Sequence, residues 1–261
     1  MLDKNETYSS KVQLLKQWDD TDLWYKKDDK FERPKAVVNM KLYTNDCDFG
    51  YNNETRVFAS VWQNVQNEYL REFNYMADCA NLHFSVNVMY DNIGLTWSGF
   101  NDSMPNYITE SIAKLQGMPQ QDLRQIFDQV KEKLLIDWKN CYLIQSYQQA
   151  FQQFTDVIYT SAIEKKILRA ILETYTYEDF QNQLKNWLKK GRYVWFICGN
   201  YHHEEAIKLV EDVKVKFALE NMNVDDIGEV QPLNLEEGKS FLLRIPLEDE
   251  KNENSCVLTY Y

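Results

Sequence analysis

The strongest constraint on how this chain can fold is a change of hydrophobic period, from two to about three and a half and back again, within its first hundred residues. Val38, Met40 and Leu42 face one way while Val37, Asn39 and Lys41 face the other. That alternation marks a half-buried strand, and Pro34 just ahead of it suits a strand entrance. Asn52 or Asn53 then offers a side-chain oxygen to cap a helix. Val57, Phe58, Val61, Trp62, Val65, Tyr69, Leu70, Phe73 and Met76 recur at three and four, which predicts one amphipathic helix from Asn53 to about Ala80. Period two returns in Phe84, Val86, Val88 and Tyr90, and again in Ile93, Leu95 and Trp97. Asp91-Asn92 between them tolerates positive φ, so the two runs predict a hairpin.

The next stretch is helical. A helix is expected through Leu115, with Gly117 as its stop and Pro119 opening the next. Leu123, Ile126, Phe127, Val130, Leu134 and Trp138 continue towards Phe154 and Ile158. Unbroken, that helix would be about 60 Å long at 1.5 Å per residue, so a break is expected between Asn140 and Tyr147. Ser161 with Glu164 and Thr176 with Asp179 form two capping boxes. Lys189, Lys190 and Gly191 are expected to close the second of these helices. Tyr193 to Cys198 is a continuous apolar run that predicts a strand buried on both faces. A further helix runs from about His203 to Leu219. Phe241–Ile245 and Cys256–Tyr261 read as two more strands. The whole predicts an α+β fold, a largely antiparallel sheet with helices packed on it.

Composition narrows the function classes. A net charge of −11 argues against a nucleic-acid binder, because phosphate affinity needs clustered Lys and Arg. The longest apolar run, Tyr193–Cys198, is far shorter than the about 20 residues of a membrane span. The opening MLDKNETYSS has no apolar core of a secretory signal. The five cysteines (Cys47, Cys79, Cys141, Cys198, Cys256) are widely spaced without C-x-x-C, which fits free thiols in a reducing compartment. Sequons at Asn5, Asn53 and Asn101 are then chance matches.

Chemistry-bearing patterns are sparse. The inverted zinc motif H-x-x-E-H needs two His one helical turn apart on one face, and the predicted helix Asn53–Ala80 holds no His. His202 and His203 are adjacent, so they cannot face one another on a helix, and Glu204 and Glu205 suit a helix N-terminus. His83, beside Leu82 and Phe84, reads as a structural histidine, and Cys79 four residues earlier lacks an orienting third group. Asp28 and Asp29, among Lys26, Lys27 and Lys30, read as an ion-pair cluster rather than an acid–base pair. No nucleophile elbow G-x-S-x-G and no glycine-rich phosphate loop occurs.

Several spaced blocks carry a family resemblance. LWYKKDDKF…PKA at 23–36 precedes the first expected strand. NEYLREFNYMADCANLHFSV at 67–86 runs from helix into hairpin. GFNDSMP at 99–105, FICGN at 196–200 and NSCVLTYY at 254–261 follow in order. Together they resemble the third homologous domain of insulysin/pitrilysin-type zinc metallopeptidases, over roughly residues 22–220, with the start of the fourth domain behind it. The resemblance implies a processing-peptidase-like (LuxS-like) metallohydrolase fold. It further implies a lead-in at 1–22, an inactive domain at 23–220, a linker at 221–238 and the first strands of a following homologous domain at 239–261.

What the resemblance implies for function is a chamber wall without catalytic, metal or cofactor residues, zinc being held by the catalytic domain of the parent zinc metalloendopeptidase. The implied partners are the parent's other domains and enclosed peptides, with no nucleic acid and no membrane, in the cytoplasm. The run ending at Tyr261 is expected to continue in a longer polypeptide. The rival expectation is a pseudo-enzyme scaffold subunit of a larger assembly.

Overall fold

A computed structural model describes residues 11–31, 33–44, 52–89, 91–141, 143–158, 165–223, 227, 237–240 and 242. Its centre is one sheet, and two strands precede the first expected from sequence. β1 (Gln13–Trp18) and β2 (Thr21–Lys27) form an antiparallel hairpin within and just beyond the expected lead-in. β2 does alternate: Thr21, Leu23, Tyr25 and Lys27 are buried while Trp24 is exposed. The pattern was disguised because its last buried position is a lysine and its outward position a tryptophan.

β3 (Lys35–Thr44) follows, then α1 (Asn53–Tyr69) and α2 (Arg71–Cys79). Asn52 caps α1, its Oδ1 accepting from the Glu54 N–H at 2.9 Å and the Thr55 N–H at 3.2 Å. The single helix expected over Asn53–Ala80 is interrupted at Leu70, which sits at φ −90°, ψ 1° and is fully buried. Beyond that bend no residue of α2 is buried, so Met76 is not on the core stripe. Period alone cannot register a local turn of the helix axis. β4 (His83–Val88) and β5 (Ile93–Phe100) form the expected hairpin across Asp91-Asn92, with Val86 opposite Leu95.

α3 (Met104–Gly117) runs into a 3-10 turn, Met118–Gln120, and α4 (Arg124–Asn140) begins only after it. Gly117 and Pro119 therefore mark a change of helical form before the next helix starts. The long pattern breaks where expected, between α4 and α5 (Ser146–Ile158). The Ser161–Glu164 pair lies outside the described residues. After α6 (Lys165–Thr174), Thr176 and Asp179 make a reciprocal capping box on α7 (Tyr177–Asn186). Lys190 and Gly191 do not close α7; they open β6 (Lys190–Gly199). Asn186 already ends the helix, because the chain must enter the sheet centre. α8 (His203–Phe217) and a two-residue β7 (Glu220–Asn221) complete the described elements. Most of 221–238 and the strands expected at Phe241–Ile245 and Cys256–Tyr261 lie outside the described residues.

The strand order is β1-β2-β6-β3-β5-β4, with β7 pairing β6. Neighbours are antiparallel except β2–β6 and β6–β7. β6 is thus central, but it is not buried on both faces. Arg192 aside, its side chains alternate: Tyr193, Trp195 and Ile197 are buried, Val194, Phe196 and Cys198 only half-buried. The buried set joins Leu23, Val38, Met40, Leu95 and Trp97 and the apolar faces of α1, α3, α4 and α8 in one core. Trp97 and Trp195 lie parallel at 6.4 Å, and Phe58 meets Trp187 edge-on at 4.4 Å.

Candidate functional site

The sheet turns one face to the helices and leaves the other partly open. The ladder brings Trp24, Phe196, Asn39, Thr96 and Ser85 into one row across it. A second row is Lys26, Cys198, Val37, Ser98 and His83; a third is Asp22, Val194, Lys41, Gly94 and Asn87. Trp24 is 41% exposed and Val37 and Phe100 39% each, so aromatic and aliphatic surface remains available over the β2–β6–β3 half. The β5–β4 half is polar, and Thr96 donates to Asn39 Oδ1 at 2.8 Å.

Charge on this face is not that of the whole chain. Lys26, Lys35 and Lys41 stand on it, with Lys35 Nζ 5.2 Å from the Phe100 ring centre. Asp22 is neutralised by Arg192 at 2.8 Å. Burial pushes the Cys198 thiol up, against the pull of Lys26 and with a push from Asp28. That thiol is therefore a poor nucleophile. The face can hold apolar and aromatic side chains by burial, worth about 25 cal/mol per Å², and can meet acidic groups with its lysines. Among the described residues the face carries no paired carboxylates for acid–base work.

At the end of β2 and β6 two of the sequence blocks meet. Lys27, paired with Gly199 in register, is buried. Its ammonium donates to Asn200 Oδ1 at 3.1 Å and to the Tyr201 carbonyl at 3.2 Å, and the Tyr25 hydroxyl donates to that same carbonyl at 2.5 Å. Asp28 accepts from the Phe31 and Lys30 N–H groups at 3.0 and 3.1 Å. The Phe31 bond is the main reason its carboxyl lies below the usual range. Lys26 meets Asp29 at 3.6 Å. Asp28 builds a turn and Asp29 an ion pair; the two do not act together on a proton.

The histidines stand in two separate places. His202 precedes α8, and its N–H donates to Glu205 Oε2 at 2.8 Å. His203 packs edge-on against Tyr25 at 4.8 Å, with a ring nitrogen 3.3 Å from Gln13 Nε2. His83 Nδ1 lies 2.6 Å from Asp78 Oδ1, tying the end of α2 to the start of β4 on the surface. Cys79 is exposed nearby. Among the described residues no group of three or more His, Cys, Asp or Glu is placed to hold a metal ion. Zinc takes three or four such ligands on one ion, and the described histidines stand in separate places. Sequence reasoning missed the open face; the alternation of Trp24 within LWYKK was the signal that could have found it.

Comparison with known proteins places this geometry. The family of the middle or third domain of peptidase M16 matches residues 2–170. The chain therefore belongs to that family. It is 25% identical over 247 residues to the A-factor-processing enzyme of Saccharomyces cerevisiae, covering 94% of this chain and 24% of that protein. It is 24% identical over 209 residues to the insulin-degrading enzyme of Homo sapiens, covering 78% of this chain and 20% of that protein. The crystal structure of pitrilysin superposes with a TM-score of 0.75 over 84% of this chain and 23% of its own, at 15% identity. That likeness shows the fold. The chain spans about a quarter of the length of the first two curated relatives, 24% of each. No described helix is long and apolar enough to cross a membrane.

Proposed function

We propose that this chain is a non-catalytic wall of a peptide-enclosing chamber in a longer insulysin-like zinc metallopeptidase. The observation that carries the reading is the open sheet face, with Trp24, Val37, Phe196 and Phe100 beside Lys26, Lys35 and Lys41, opposite a fully packed helical face. A sheet normally buries an apolar face; one left partly open suits contact with a second surface or an extended chain. The zinc and the peptide-bond chemistry belong, in this reading, to another domain of the longer polypeptide. Thiols outside any disulfide at Cys79 and Cys198 suit a reducing compartment such as the cytoplasm. Because β1 pairs with β2, the domain is proposed to begin at β1. Asn221 and the buried Met222 still belong to the sheet, so the linker is proposed to follow them, up to 238, with 239–261 as the opening of a following homologous domain.

The test is site-specific photocrosslinking in the full-length polypeptide. With p-benzoylphenylalanine replacing Phe196, a long unfolded peptide is expected to crosslink. With the same probe replacing Ile136, an exposed position of α4, it is not. Equal crosslinking at both positions, or none at Phe196, overturns the reading.

A further inference from the structure

The open sheet face is not uniform, and one place on it combines a charge with room for a side chain. Phe196 of β6 lies beside Trp24 of β2 and opposite Asn39 of β3. Two residues along β3, Lys41 stands between Val194 of β6 and Gly94 of β5, with Asn87 of β4 beyond the glycine. Gly94 puts no side chain on the face, and a Cβ built there would meet only the Asn87 carbonyl oxygen, at 3.7 Å. The glycine therefore leaves a notch one strand wide between Lys41 and Asn87, floored by backbone. The other charges of the β2–β6–β3 half are engaged. Asp22, on the far side of Val194, accepts from Gln17 Nε2 at 2.7 Å and pairs with Arg192 at 2.8 Å. Lys26 meets Asp29, and Lys35 lies over the Phe100 ring. Lys41 is exposed, and among the described residues no ion pair engages it.

Phe196 and Lys41 are diagonal neighbours on the antiparallel pair β3–β6, and such neighbours stand about 7–8 Å apart. Side chains two positions apart on an extended chain are separated by about 6.6 Å and point the same way. An extended peptide that lays an aromatic ring on Phe196 and Trp24 thus brings the side chain two positions away to Lys41 and the notch. We infer that Phe196 with Trp24, and Lys41 with Gly94, form two subsites that select an aromatic residue and an acidic residue two positions from it. The inference rests on the reading of this chain as a chamber wall and adds which peptides the wall favours. The ring is held by burial of apolar surface. The carboxylate meets the Lys41 ammonium in the space that Gly94 leaves, where a larger residue would fill the floor. A lysine at the same position of the peptide meets a like charge instead.

The experiment turns the Phe196 crosslink into a titration in the full-length polypeptide, with a chelator present so that no peptide is cut. Three unfolded peptides of one sequence are compared, carrying X-Ser-Phe-Ser-X at one place with X as Glu, Gln or Lys, so that either chain direction presents X to Lys41. The Glu peptide is expected to half-saturate the crosslink at a concentration about two- to fivefold lower than the Gln peptide, the scale of one exposed ion pair. The Lys peptide is expected to need more than either. Lys41→Met is expected to bring the three together, and Lys41→Glu to put the Lys peptide first. Salt at about 1 M, where the screening length is about 3 Å, is expected to act as Lys41→Met does. Lys35→Met, at the other end of β3, is expected to keep the order Glu, Gln, Lys. Equal half-saturation for the three peptides overturns the inference and leaves the wall reading standing. So does an order that survives Lys41→Glu. Absence of any crosslink at Phe196 overturns both.

Discussion

Lys27 Nζ and Asn200 Oδ1 meet at 3.1 Å although 173 residues separate them. The contact joins the end of β2 to the turn after β6, where the only described parallel pair besides the β6–β7 bridge is formed. It explains why a lysine can be buried there: its stem lies in the core and its ammonium is met by an amide oxygen and a carbonyl.

Lys27→Met keeps the stem and removes the donors. The Tyr201 carbonyl retains the Tyr25 hydroxyl, but Asn200 loses its ammonium partner. The variant is expected to lose about 1–3 kcal/mol of stability, the scale of a charged hydrogen bond. Urea unfolding checks this; an unchanged midpoint would show that the contact contributes nothing.

Gly199 has φ +127°, and a Cβ there would lie 2.5 Å from the Lys35 carbonyl oxygen and 2.6 Å from the Ala36 Cα. Gly199→Ala must therefore distort β3 as well as its own backbone, and is expected to cost about 3 kcal/mol or more. Gly117 is helical at φ −76° with nothing within 4 Å of an added Cβ. Gly117→Ala is expected to gain about 0.4–1 kcal/mol through the unfolded chain. Thermal melts of the pair should move in opposite directions.

The buried Trp97 Nε1–H donates to Ser111 Oγ at 2.8 Å, and Ser111 donates onward to the Ile108 carbonyl at 2.9 Å. Ser111→Ala leaves the indole N–H without that acceptor in the core. A loss of about 1–3 kcal/mol is expected, with Trp97 fluorescence shifted; Ser111→Thr, which keeps the oxygen, should lose less.

Asp179 holds the α7 capping box, accepting from the Thr176 hydroxyl and N–H. Those bonds, the hydroxyl's first, hold its carboxyl below the usual carboxylate range. A carboxyl lowered on folding contributes stability above its unfolded value that disappears as pH falls through the folded one. The difference in melting temperature between the natural chain and Asp179→Asn should therefore be full at neutral pH and shrink below about pH 4. A difference that is flat from pH 7 to pH 2 would contradict the assignment.

How much of this was legible follows from the physics of each element. The hairpin at Asp91-Asn92, the Thr176 cap and the break after Asn140 were readable because each rests on local pattern and turn chemistry. β1 and β2 were not, since a buried Lys27 and an outward Trp24 invert the usual code of a strand, and only the pairing with β6 makes sense of them. The bend at Leu70 is set by tertiary packing. The open face was hidden because Val194, Phe196 and Cys198 are as apolar as their buried neighbours; six apolar residues in a row cannot say which three are covered. The motif glycines Gly99 and Gly199 acquire their reason only in the fold, where an added Cβ would strike Asn81 O at 2.3 Å in one case and Lys35 O in the other.

The central claim is that the chain encloses peptides without cutting them. The most direct measurement is hydrolysis of a quenched fluorogenic peptide by the purified 261-residue chain, with added zinc and with a chelator. The account predicts no chelator-sensitive cleavage. Chelator-sensitive cleavage that follows the protein through purification and is abolished by replacing His202 and His203 would contradict it.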